Sequence, residues 1–220
     1  MFAAPLFRDR RDAGRLLADR LKPSLQDRHP LILALPRGGV PVGFEIAQAL
    51  RTELDVFLVR KLGVPGHEEL AMGAIASGGV RVLNHALVRH LGIPLSAVER
   101  VTQREQQEIL RRERLYREGR ALLNPAGRRV VLVDDGLATG ATMLAAVRAI
   151  RVENPERIVV AVPVASKQAC EDLGLDADEV VCAATPEPFA SVGAWYEDFT
   201  QTSDDEVRDL LELAARQHVP

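Results

Sequence analysis

The residues of this chain with the clearest chemical capacity run from Val130 to Thr142, reading Val-Val-Leu-Val-Asp-Asp-Gly-Leu-Ala-Thr-Gly-Ala-Thr. The aliphatic run reads as a strand buried on both faces, as inside a parallel sheet. Asp134 and Asp135 end it. Gly136, Leu137, Ala138, Thr139, Gly140, Ala141 and Thr142 then form a small polar turn, and Met143 to Arg151 carries Leu144, Val147 and Ile150 at helical spacing. Backbone N–H groups in a tight turn that opens a helix converge on one point, and the helix N-terminus adds partial positive charge, so a phosphate fits there. Gly136 and Gly140 permit close approach and positive φ, while Thr139 and Thr142 add hydroxyl donors. Two adjacent carboxylates beside a phosphate repel each other unless something binds them. The vicinal hydroxyls of a ribose, or a Mg2+ ion, would serve. Other phosphate loops fail on spacing: there is no lysine for a Walker A loop, no G-x-G-x-x-G for a dinucleotide site, and no D-x-D for a phosphatase nucleophile.

With both acids and T-G-x-T in register, this stretch resembles the ribose-5-phosphate signature of the type I phosphoribosyltransferases. The resemblance implies that Asp134 and Asp135 hold the ribose 2- and 3-hydroxyls, with Mg2+ bound indirectly through the sugar diphosphate. It further implies that Leu137 to Thr142 cradle the 5-phosphate of phosphoribosyl pyrophosphate. One position departs from the family's purine members: where they carry an acid on this turn, the chain has Ala138. If the acceptor is deprotonated, either another residue, with Glu187, Glu197 and Asp198 as candidates, or the nucleophile itself must supply the means.

Other strand ends supply the remaining groups. Leu31 to Leu35 reads as a short buried strand running into Pro36-Arg37-Gly38-Gly39 and a helix over Val40 to Leu50, with Pro41 in its first turn. The resemblance implies a pyrophosphate loop here, often with a non-proline cis peptide, using Arg37, Gly38 and Gly39. Asp55 to Lys61 reads as a third strand, followed by a mobile loop over 62–69 with no periodicity. In the family such a loop closes over the pyrophosphate, which nominates Arg60, Lys61 and His67 as catalytic groups. Leu70 to Leu83 reads as strand-rich, with a hairpin turn at Gly78-Gly79.

The elements that position these groups alternate as strand and helix. Phe7 to Leu21 is an amphipathic helix (Ala13, Leu16, Leu17, Leu21) capped by Asp9 or Asp12. Asn84 to Leu91 is a short helix. Ser96 to Glu99 reads as a capping box opening a polar helix to about Gly119, solvated and suited to a subunit contact in a homodimer. Strands follow at Arg157 to Val164 and Val180 to Ala184. Lys167, just past the first of these, either reaches an acceptor on the base or is a surface lysine opening a helix. Four aromatics crowd the stretch 185–199, and the resemblance implies a base-binding hood there, with Val192 and Gly193 lining a nucleobase-like substrate and Trp195 or Tyr196 stacking near it. Ser203 to Glu206 caps a last helix to about Arg216.

The expected architecture is α/β: a Rossmann-like parallel sheet flanked by helices, one domain over 1–220. Its core covers about 8–180, its small C-terminal hood 183–202 and its last helix 203–216. The net charge of −3 and pI near 6.0 give no sign of a nucleic-acid surface. No apolar run reaches the ~18 residues needed to cross a bilayer. The N-terminal apolar residues Phe2, Leu6 and Phe7 form no long signal-like region. Cys170 and Cys182 make neither a disulfide framework nor a metal pattern, so they read as buried thiols and the protein as cytoplasmic. The expected function is transfer of a phosphoribosyl group; a non-catalytic regulator that binds nucleotide or phosphoribosyl pyrophosphate on the same fold is the alternative.

Overall fold

The structure is a computed structural model that describes residues 4–25 and 28–217; Phe2 lies outside them. In chain order its elements are α1 (Arg10–Leu25), β1 (Leu31–Ala34), α2 (Gly39–Leu50), β2 (Leu54–Val56), β3 (Val59–Val64), β4 (His67–Ala76), β5 (Arg81–Leu83), α3 (His85–His90) and α4 (Leu95–Arg117). After these come β6 (Arg129–Val133), α5 (Ala141–Val152), β7 (Arg157–Val164), α6 (Lys167–Leu173), β8 (Glu179–Ala184) and α7 (Asp204–Gln217).

Five strands form a parallel sheet in the order β2-β1-β6-β7-β8. Alternation along β1 and β6 divides the core: Ile32, Ala34, Val131 and Val133 pack with α1, α2 and α7, whereas Leu31, Leu33, Val130 and Leu132 pack with α5 and α6. The strand order reverses between β1 and β6, whose following helices leave to opposite faces. Ligands of open α/β sheets gather at such a crevice.

Several expectations change in detail. The stretch 55–61 is two strands: β2 pairs in the parallel sheet, and β3 leaves it to form an antiparallel ribbon with β4 and β5. The mobile loop over 62–69 is instead the tip of the β3–β4 hairpin. Val64 pairs with His67 across Pro65-Gly66, and Gly66 has φ +80°. Proline followed by a glycine of positive φ is ordinary tight-turn chemistry, so those residues reverse the chain rather than loosen it. Gly78 and Gly79, both at positive φ, make the expected second turn. Asp9 caps α1, accepting from the Asp12 N–H at 2.8 Å, and Leu16 stays exposed beside the buried Ala13, Leu17 and Leu21.

The Ser96 capping box is not formed. The α4 helix starts at Leu95 behind Pro94 with no side-chain cap, and Glu99 pairs with Arg81 at 2.8 Å instead. Nor is α4 only a solvated helix, because its buried face carries Glu105 and Arg117. The Arg117 guanidinium donates to Asp55 Oδ1 at 3.0 Å and to the Val56 carbonyl at 2.7 Å, and its Nη1 lies 2.9 Å from Glu113. This anchors the sheet's edge strand β2. Cys170 on α6 and Cys182 on β8 are joined as a disulfide rather than held as free thiols, because α6 folds back along β8. The argument from unpaired cysteines to a reducing compartment therefore lapses. Among the described residues no helix is long and apolar enough to cross a membrane.

Burial pushes the Asp55 carboxyl above its ordinary value, while Arg117 pulls it down. Arg117→Met would leave that charge buried and unpaired, at a cost of about 3–5 kcal/mol near neutral pH. A carboxylate with a raised folded-state pKa loses stability as pH rises from the unfolded value through the folded one. The deficit of the variant relative to the parent should therefore shrink as the pH falls, when Asp55 protonates. Urea midpoints of parent and variant from neutral pH down to the carboxylate range check this.

Candidate functional site

Two loops meet at the crevice. After β1, the peptide Pro36–Arg37 is cis, as the resemblance implied, and Gly38-Gly39 opens α2. After β6, the acids lead into the turn that opens α5, with Gly140 at φ +68° as its N-cap. The loops touch through their glycines. A Cβ on Gly38 would overlap Asp135 Oδ2 and sit 2.6 Å from its Cγ, and one on Gly39 would lie 2.9 Å from the Asp134 Cα. Asp134 and Asp135 therefore face the first loop across the crevice.

The acid pair is organised from several sides. Asp134 Oδ1 accepts the Asp135 N–H at 2.9 Å, and the Asp135 carbonyl accepts the Tyr196 hydroxyl at 2.6 Å. Asp135 Oδ2 accepts Arg10 Nε at 2.8 Å in an ion pair whose side chains are only 11% and 15% exposed. Burial, then the neighbouring charge of Asp135, pushes the Asp134 carboxyl well above the carboxylate range. Burial also raises Asp135, and Arg10 opposes that rise. Arg10, the ion-pair partner of this acid pair, is the residue that the sequence reading did not single out. It stands 125 residues from its partner, as one arginine among several at the start of α1, and no local pattern marks it.

The turn after the acids is pinned on its inner side and open on its outer one. The Leu137 N–H donates to the Val164 carbonyl at 2.9 Å and its side chain is buried, so Leu137 braces the turn and offers nothing to an anion. Ser166, the N-cap of α6, donates its hydroxyl to the Ala138 carbonyl at 2.8 Å. Ala138, Thr139, Ala141 and Thr142 are exposed; the Ala141 N–H reaches Thr139 Oγ1 at 3.4 Å.

The other nominated residues divide. Arg37 is half-buried near the α7 N-terminus, with Nη1 3.8 Å from Asp204 Oδ1. Arg60 is taken by Glu105 of α4, Nε to Oε2 at 2.6 Å, and Glu105 also accepts Arg104. That arginine is already neutralised and braces the ribbon. Lys61 is exposed and, with Ala141, lines a cavity of about 650 Å3 between the ribbon and α5, alongside Val82, His85, Leu144 and Arg148. His67 is exposed at the start of β4, with no described contact to the acids. Lys167 is exposed at the first position of α6.

The base-stacking expectation for Trp195 and Tyr196 is corrected. They are 7% and 5% exposed and pack with Phe7, Ala13 and Val164, because the C-terminal segment pairs with the N-terminal one. Phe7 and Tyr196 form a parallel bridge, and the Glu197 N–H donates to the Phe7 carbonyl at 2.9 Å. Aromatic rings beside an available apolar surface bury there before they serve a ligand. Val192 does reach the site and touches Gly136, on which a Cβ would lie 2.5 Å from Val192 Cγ1; Gly193 backs onto Phe199. Glu187, Glu197 and Asp198 are exposed, and Asp198 is engaged by the N–H and hydroxyl of Thr200.

Against known proteins, the phosphoribosyl transferase domain family matches residues 65–185. Two proteins from strains of Mycobacterium tuberculosis, each provisionally named a phosphoribosyl transferase, are 48% identical over 211 residues, covering 96% of this chain and 47% of theirs. The chain thus spans about half the length of the curated relatives it matches. The crystal structure of TT1426 from Thermus thermophilus is 48% identical, with a TM-score of 0.85 over 93% of this chain and 97% of that one.

Gly38→Ala should separate the two loops, since its methyl would have to displace the Asp135 carboxylate and crowd the Arg10 Nε that holds it. Overpacking of this kind costs about 1–3 kcal/mol. Thermal and urea midpoints of the variant beside the parent read that loss.

Proposed function

The chain belongs to the phosphoribosyl transferase domain family, and on that premise we propose that it moves a 5-phosphoribosyl group from phosphoribosyl pyrophosphate to a nitrogen nucleophile of nucleobase type, releasing pyrophosphate. The observation that supports this reading is the close approach of Gly38 to the Asp135 carboxylate, which brings the Pro36–Gly39 loop opposite the acid pair; the loop would take the diphosphate and the acids the diol.

In this reading the open side of the turn, Thr139 to Thr142, takes the 5-phosphate through backbone N–H groups and two hydroxyls. Asp134 and Asp135 accept the ribose hydroxyls. Arg37 and the backbone of Gly38 and Gly39 take the pyrophosphate, and the ribbon adds charge through Lys61 and, at its hairpin tip, His67. As the bond from C1 to the pyrophosphate oxygen breaks, positive charge grows on an oxocarbenium-like sugar. The nitrogen lone pair then forms the new bond to C1, and the acceptor's N–H proton leaves to solvent or to the departing pyrophosphate. Groups fixed before the reaction stabilise this charge separation without reorganising. Val192 and Gly193 would frame the base, Lys167 would reach its edge, and Trp195 and Tyr196 support that wall from behind.

The described residues hold no cluster of three or more potential metal ligands. Two adjacent carboxylates beside a diphosphate do suit Mg2+, which keeps several waters and is held by one or two carboxylates plus substrate phosphates. Asp134 and Asp135 would hold it jointly with the sugar diphosphate, and its charge would stabilise the departing pyrophosphate.

Two observations favour a second reading, a regulator that binds the same ligand without turnover: Ala138 stands where an acid would serve as base, and the aromatics meant to stack on a base are in the core. Incubation with phosphoribosyl pyrophosphate, Mg2+ and a panel of nucleobases separates the two. Transfer predicts pyrophosphate release that depends on one base and falls by about a hundredfold or more in Asp134→Ala, the scale of losing a group used in the transition state. Tight binding with no release across the panel would establish the regulator instead.

A further inference from the structure

We propose that Arg10 is a positioning residue of the sugar site, holding Asp135 by one carboxylate oxygen so that the other is left for a ribose hydroxyl. The inference rests on the phosphoribosyl reading above and adds to it a residue from outside the matched region, which begins at residue 65.

The geometry is specific. Arg10 Nε takes Asp135 Oδ2, while Asp135 Oδ1 has no hydrogen-bond partner among the described residues. The guanidinium is itself fixed. Its Nη1 donates to the Thr200 carbonyl at 2.7 Å, and its Cζ lies 4.0 Å from the centre of the Phe199 ring. An arginine held by a carbonyl on one nitrogen and stacked on a ring has little freedom to swing away, so its contact with Asp135 is a fixed one. The Asp135 backbone is clamped too, through the Tyr196 hydroxyl on its carbonyl and Asp134 on its N–H. The position of Gly38 follows from this, because a Cβ there would also come within 3.3 Å of Arg10 Nε.

The charge arrangement points the same way. Two consecutive carboxylates at a half-buried strand end need a cation, and Arg10 is the cation that the described ion pairs place there. A surface arginine would contribute little and could be removed freely. This one is 11% exposed and joins three segments: the start of α1, the acid turn and the C-terminal stretch at Phe199 and Thr200.

Calorimetry on the full chain with Mg2+ tests the role, using phosphoribosyl pyrophosphate and, as a probe without a diol, inorganic pyrophosphate. Arg10→Gln should weaken phosphoribosyl pyrophosphate by about ten- to a hundredfold, the scale of a hydrogen bond to a charged group, and leave pyrophosphate within about twofold. Arg10→Lys, which keeps the charge but not the fork, should recover part of that loss. Equal weakening of both probes, or no change with either, overturns the role. Should Arg10→Gln not fold, as judged by its thermal midpoint, Arg10→Lys is read by the same selectivity. Wild-type protein that binds pyrophosphate but not phosphoribosyl pyrophosphate would refute the phosphoribosyl reading itself, a result visible before any variant is made.

Discussion

Consecutive carboxylates at the end of a buried strand are the constraint around which this molecule is arranged. Charged side by side they repel, and burial raises the cost of keeping either ionised. The fold meets this with backbone N–H donation to Asp134, a buried guanidinium on Asp135 and a glycine opposite with no side chain to crowd them. Each device needs an element from elsewhere. The guanidinium needs α1, the facing glycine needs β1 and α2, and the tyrosine beneath needs the C-terminal segment.

Much of this frame was legible in the residues. Buried strands showed as aliphatic runs, helices as 3.6-residue spacing, and the acid turn as a pattern of types that few other sites share. What stayed hidden were consequences of tertiary partnering. Arg10 has no local mark. Trp195 and Tyr196 sit among proline, glycine and acids that read as loop, yet an N-terminal extended segment packs over them. Pro65-Gly66 suggested slack chain, and the cross-strand partner that makes it a tight hairpin is set by register. The cysteines are twelve residues apart on elements whose packing alone brings them together.

The same partnering decides which charges remain available. Arg60 looked like a ligand group because it ends a strand, but the buried Glu105 claims it, whereas the neighbouring Lys61 lines an open cavity beside the first residue of α5. Burial pushes the Glu105 carboxyl up, and the hydrogen bonds from Arg60 and Arg104 outweigh that and hold it down, so the pair stays ionic. Strand-end position nominates a side chain; an ion pair on the adjoining helix can withdraw it.

The bridge between Phe7 and Tyr196 carries a kinetic implication. Contacts spanning nearly the whole chain close the largest loops, and the entropy of closing them delays their formation relative to local helices and the ribbon. During synthesis, the β6 strand and its acids emerge well before the stretch that seats Arg10. A chain ending before residue 196 would lack both the Tyr196 hydroxyl on the Asp135 carbonyl and the Thr200 carbonyl that seats Arg10, so the acid pair would emerge without two of its supports.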